Sequence, residues 1–321
     1  GTPGAGHRWD LSTGVTDVEF SPDGTRVAIA RGGGWSVRAW PSGELLSEQT
    51  TSCVVKDVDW VTGDRLAIAL AVPHCVPGII ATLLVQHPDG SVIPVPGSRS
   101  GARRVVALGA HELVWLEYGA SGPMSKRMEG TGPPSPVTQP DGAPHHIENT
   151  PNGGVLVWTD TTGVWTFRQG DRQPRRVWEA PGLVPVAVDR RGTLALTASG
   201  TEVMVVDLAT GTLRWSTPQL DEAPPDAAVS PDGRWGAVSS RDGTARIYHM
   251  KTGELRATLR GHTEQIAAIA FSADSHYLMT GSWDDSVRVW DVGVLAADPI
   301  ALKQELTDAW NLDLERLLQL R

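Results

Sequence analysis

The chain has 321 residues, with 28 Lys and Arg against 37 Asp and Glu, for a formal charge of −9. That balance argues against a nucleic-acid partner, because a phosphate-binding surface needs clustered cations. No apolar run reaches the roughly 18 residues of a membrane span.

The opening residues, Gly1-Thr2-Pro3-Gly4-Ala5-Gly6, carry no charged stretch ahead of an apolar core, so no signal peptide is expected. The expected location is cytoplasmic. The missing initiator Met suggests a domain belonging to a longer chain. At this length one globular core has stopped growing, at about 250–300 residues. A radial repeat escapes that limit because each unit packs only on its neighbours.

Such a repeat is present. In chain order its turn falls at Phe20-Ser21-Pro22-Asp23-Gly24, Trp60-Val61-Thr62-Gly63, Leu108-Gly109-Ala110-His111 and Asn149-Thr150-Pro151-Asn152-Gly153. It returns at Val188-Asp189-Arg190-Arg191-Gly192, Val229-Ser230-Pro231-Asp232-Gly233 and Phe271-Ser272-Ala273-Asp274. The spacings run from 39 to 48 residues, the period of a four-stranded propeller blade. Within each copy the apolar period is two. Ile266, Ala268 and Ala270 alternate with Ala267, Ile269 and Phe271, and Val287 and Val289 alternate with Arg288 and Trp290. Such runs, bounded by Gly, Pro, Asp and Ser, predict strands. Pro-Asp-Gly supplies a fixed negative φ and then a permissive Gly for a tight reversal.

Between the copies, three segments stand out. Cys53 enters the first strand of the second copy, and Cys75 lies in the long connection after its second strand, so the two loops share a face. Either a disulfide or two thiols fits that placement, and a bond points to an oxidising compartment. The Pro- and Gly-rich stretch 119–144 cannot pair centrally in a sheet and predicts a long excursion of the third copy. From Leu295 the pattern becomes helical: Asp298 is an N-cap, Pro299 suits the first helical position, and Leu302, Leu306 and Trp310 form one stripe. That stripe packs either on the chain's own rim or on a partner.

Seven such copies resemble a seven-bladed WD-repeat β-propeller of the divergent type found in bacterial multidomain signalling proteins. The expected fold is all-β: seven four-stranded antiparallel blades with a short C-terminal helical tail. Residues 1–292 form the propeller and 293–321 the amphipathic tail. A flat two-layer sandwich is the alternative. The resemblance implies that residues 6–11 supply the fourth strand of blade seven and so join the two ends. It also implies a hydrogen-bonded set in the last blade, matching His262, Ser282, Asp284 and Trp290, with Asp284 six residues before Trp290. Blade six keeps Ser240, Asp242 and Tyr248 without the His, and blade one has Gly34 at the Asp position. Trp40 is expected in the same third-strand slot as Trp290 and Tyr248. A Ser-His-Asp nucleophile reading of the set fails for want of a cleft and oxyanion donors.

No CxxC, HExxH, phosphate loop or GxSxG element occurs. No metal, cofactor or catalytic residue is therefore expected. Adjacent His145 and His146 face opposite sides of a strand, and the run Gly32-Gly33-Gly34 opens no helix. The face carrying the loops before each first strand and after each second strand is the expected partner surface. Trp283, Arg241, Trp35 and Arg31 are its candidate contacts, since Trp and Arg anchor interfaces. The function expected is a non-catalytic interaction or sensor module for a protein or peptide, tethered to other domains. A weak likeness of the tail 310–321 to signal-transducing ATPases supports that context. The alternative is a propeller enzyme, a hydrolase or lyase with its site in the central channel.

Overall fold

The structure, a computed structural model, describes residues 5–61, 64–98, 101–108, 112–117, 124–127, 135–136, 146–149, 155–160, 163–168, 174–179, 183–218 and 220–296. They form seven four-stranded antiparallel sheets. The first strands are Val15–Phe20, Val55–Val61, Ala102–Leu108, His146–Asn149, Leu183–Val188, Ala227–Val229 and Ile266–Phe271. Each touches its counterpart in the next blade, and the last touches the first, so they close a ring around a central axis.

Closure comes from the N-terminus. Strand Ala5–Asp10 pairs antiparallel with Ser286–Asp291, with Arg8 opposite Arg288 and Asp10 opposite Ser286. Blade seven therefore takes its outer strand from the start of the chain, which covers an otherwise open edge. Burial follows the apolar alternation. Ile266, Ile269, Phe271 and Leu278 of blade seven cluster with Trp235, Ala245, Ile247 and Leu259 of blade six. Val15, Val18, Val27 and Ile29 of blade one cluster with Met279, Val287 and Val289 of blade seven. Each blade is thus held by its two neighbours.

The 119–144 stretch yields two paired strands. Met124–Arg127 is the third strand of blade three, and Ser135–Pro136 is its fourth, at the outer edge where a Pro is tolerated. After Val292 a 3-10 turn, Gly293–Ala296, leaves the lower end of blade seven. The expected tail helix lies outside the described residues.

Candidate functional site

Two features converge on the upper face, the end of the ring that carries the turns between second and third strands. The first is the buried relay of blade seven. His262 pairs through Nδ1 with Asp284 Oδ2 at 2.9 Å, and its Nε2 meets Thr280 Oγ1 at 2.8 Å. Trp290 Nε1 donates to the same Thr280 oxygen at 2.9 Å. The hydroxyl of the relay is therefore Thr280, which corrects the assignment to Ser282. Ser282 instead donates to Glu264 O at 3.2 Å and accepts from Asp284 N–H at 3.1 Å, bracing the turn. Thr280 and Ser282 point to the same side of one strand, so alternation cannot separate them. Register does: Trp290 lies opposite Leu278, within reach of Thr280 and one step further from Ser282.

The charges in the relay follow from their surroundings. Burial pushes the Asp284 carboxyl up, but hydrogen bonds from Ser286, His262 and Thr263 outweigh it and bring its pKa down to about 2. Desolvation, stronger than the pull of Asp284, lowers the pKa of His262 below its ordinary value. A neutral imidazole donating from Nδ1 leaves Nε2 to accept from Thr280. Every donor has its acceptor, as a buried polar chain requires.

The second feature is the upper turn itself. Trp283 is 53% exposed. Arg241 occupies the matching turn of blade six, also exposed, 3.4 Å from Glu222. Of the four residues expected to form a partner surface, these two are exposed on the upper face and the other two are buried. Trp35 is 1% exposed and Arg31 is 5% exposed. The blade-one turn is short, with Arg31 paired directly to Gly34. That pulls Trp35 inward to the level of Val287, where its indole N–H reaches Gln86 Oε1. Arg31 falls at the level of Ser282, where it is bonded to Ser12 and Glu48. The same register corrects two further expectations in blade one. Arg38 sits at the level of Trp290, while Trp40 lies beyond the strand, edge-on to Phe20 and Tyr277. Gly34 stands level with Ser286 rather than at the Asp position. On the same face Cys53 and Cys75 are joined by a disulfide, with Cα atoms 5.5 Å apart.

A third set of residues lines the axis and escaped the sequence reading. Asp17, Asp57, Arg104 and Asp226 occupy one level of the first strands. Three of them stitch neighbouring blades: Asp17 accepts from Val58 N–H at 2.9 Å, Asp57 from Val105 N–H at 2.7 Å, and Asp226 from Ile269 N–H at 3.0 Å. Arg104 holds Asp57 at 2.9 Å and spans the axis to Asp226 at 3.0 Å, tying blade three to blades two and six. Glu19, Asp59 and Glu148 form a second level, where Asp59 accepts from Ala107 N–H. Desolvation raises the pKa of Asp57 and Asp59 to about 7 and of Glu148 to about 8. The signal was present as Val15-Thr16-Asp17-Val18-Glu19-Phe20 and its repeat Val55-Lys56-Asp57-Val58-Asp59-Trp60. Asp17, Asp57, Asp59 and Asp226 are engaged by backbone N–H groups, and Asp57 and Asp226 also by the Arg104 guanidinium, which is blade-to-blade fastening. Among the described residues no group of three His, Cys, Asp or Glu is arranged to hold a metal ion. No described helix is long and apolar enough to cross a membrane.

A closed ring of seven four-stranded antiparallel blades defines a β-propeller. The WD domain, G-beta repeat family matches residues 226–249 and 253–291, which cover most of blades six and seven. The chain is a β-propeller whose sixth and seventh blades carry WD repeats. It is 26% identical over 150 residues to the LST8 homolog of Drosophila melanogaster, covering 40% of this chain and 48% of that protein. It is 39% identical over 93 residues to WD repeat-containing protein 1 of Rattus norvegicus, covering 26% of this chain and 15% of that protein. The chain thus spans less than half the length of these curated relatives. The crystal structure of the β-propeller domain of Myceliophteria thermophila Cps50 (Swd1) superposes with a TM-score of 0.75, covering 90% of this chain and 99% of that one at 14% identity. WD-repeat propellers of this kind are typically scaffolds for protein interaction.

Proposed function

We propose that this propeller is a non-catalytic docking module that captures a protein or peptide on its upper face, within a larger signalling protein. The carrying observation is Trp283, an indole 53% exposed at the tip of a turn whose backbone is fixed on both sides. Trp283 N–H donates to Gln265 O at 3.0 Å, and the neighbouring relay locks Asp284. A rigid, exposed aromatic is the usual anchor of an interface, because it buries area without losing conformational freedom. The axis offers weaker support for a site, because Arg104 spans it and Asp17, Asp57, Asp59 and Asp226 are already bonded.

The test is the double variant Trp283→Ala with Arg241→Ala. Neither residue belongs to the relay, so circular dichroism and melting should match the parent, while capture of a partner from extract of the source cells should fall. A double variant that retains every captured partner refutes the proposal.

A further inference from the structure

Resting on the reading of the upper face as a docking surface, we infer that its occupant is a cationic, Arg- or Lys-bearing peptide segment, seated on Trp283 beside the exposed carboxylates of Glu264 and Asp285. The geometry begins with the turns around Trp283. Ser282 Oγ donates to Glu264 O at 3.2 Å, Ile266 N–H to Ser240 O at 3.1 Å, and Leu11 N–H to Asp285 O at 2.7 Å. Gly243 is packed so close that a Cβ there would lie 2.7 Å from His262 O and 3.1 Å from Glu264 O. Beneath Trp283, a Cβ on Gly14 would lie 3.2 Å from its Cα. The turns of blades six and seven and the segment entering blade one are therefore one fastened platform.

Glu264 and Asp285 are exposed and make no ion pair with any described residue. Asp242, on the adjacent turn, already pairs with Arg246 at 3.8 Å. On the blade-six turn Arg241 is matched by Glu222. An indole face attracts a cation through its quadrupole, and carboxylates beside it add to the same attraction while repelling an acidic partner. Without a three-ligand arrangement for a metal ion here, the matching cation is organic, a guanidinium or ammonium. Buried Arg and Lys stems cover apolar surface while the charged head stays wet, which suits an indole standing clear of the surface. A peptide supplies several such heads at once.

The experiment uses the full chain and three fluorescein-labelled twelve-residue peptides, alternating Arg/Gly, Glu/Gly and Ser/Gly, followed by fluorescence anisotropy. The Arg peptide should bind, and its affinity should fall with added salt. Trp283→Ala should weaken it about fivefold, and Glu264→Gln with Asp285→Asn about tenfold, with unchanged melting. Glu264→Lys with Asp285→Lys should transfer binding to the Glu peptide. Arg-peptide binding that ignores both sets of variants overturns the inference, because the cation is then recognised elsewhere. Trp283-dependent binding of the Glu or Ser peptide alone overturns it too, but leaves the docking reading standing. No Trp283-dependent binding of any peptide overturns the inference, and the extract capture above then decides the docking reading separately.

Discussion

Thr280→Val tests the relay more sharply than any other substitution. Val keeps the shape of Thr, so no cavity opens, but the hydroxyl disappears. Two groups then lose their partner: Trp290 Nε1–H, which donated at 2.9 Å, and His262 Nε2, which met the hydroxyl at 2.8 Å. Both sit out of water, with the His262 side chain 0% exposed and Trp290 3% exposed. A stranded buried polar group costs about 1–3 kcal/mol, so the pair should cost about 2–4 kcal/mol. Ser282→Ala should cost only about 1 kcal/mol, because its hydroxyl serves two turn groups, Glu264 O and Asp284 N–H, and none of the relay's side chains. The assay is hydrogen exchange followed by mass spectrometry of Tyr277–Ser282 and Ser286–Asp291. At about 1.4 kcal/mol per decade, Thr280→Val should speed exchange there by about 30- to 700-fold, and Ser282→Ala by less than about tenfold. A neutral Thr280→Val, or a Ser282→Ala that costs more, would refute the assignment.

Arg104→Met should destabilise the ring by about 3 kcal/mol near pH 8, because Asp57 and Asp226 are left without their cation. Melting should show the loss shrinking near pH 6 as Asp57 takes up its proton. The parent should also gain stability as pH falls from about 8 to about 6, because Asp57, Asp59 and Glu148 hold protons at higher pH folded than unfolded. Neutral His262 opposes this below about pH 6.5, so a flat melting curve between pH 8 and 6 would contradict the burial of the axis. Replacing both Cys53 and Cys75 by Ser should cost about 3 kcal/mol in denaturant titration, the value for a 22-residue separation. Deleting residues 1–11 should bare the edge of Ser286–Asp291 and raise its hydrogen exchange; unchanged protection would mean closure does not rest on the N-terminal strand.

What could be read from the sequence depended on whether the signal was local. The turn Val229-Ser230-Pro231-Asp232-Gly233 and the run 261–291 carry their structure within a few residues, so blades six and seven were legible. Blade one was legible at its turn but not at its top. There Gly32 and Gly33 stand where blade seven has Trp283, Asp284 and Asp285, and that shortening drew Trp35 inward and left Arg38, not Trp40, level with Trp290. Thr280 was misjudged because two hydroxyls lie two residues apart on one face, and only pairing across the sheet tells them apart. The axial charges were passed over for a different reason: the repeated alternation was in the chain, but their meeting was not. Asp57 and Asp226 are 169 residues apart and meet only through Arg104 once the ring has closed. In the chain each reads as a polar residue between apolar neighbours.

The most direct test of the docking surface is site-specific photocrosslinking in extract of the source cells. A photoreactive amino acid at position 283 on the upper face is compared with one at Leu45, an equally exposed apolar position near the lower end of blade one. The account predicts a discrete, saturable crosslinked species from position 283 that the Arg/Gly peptide competes away, and none from position 45. Equal crosslinking from both positions, or none from position 283, would contradict it.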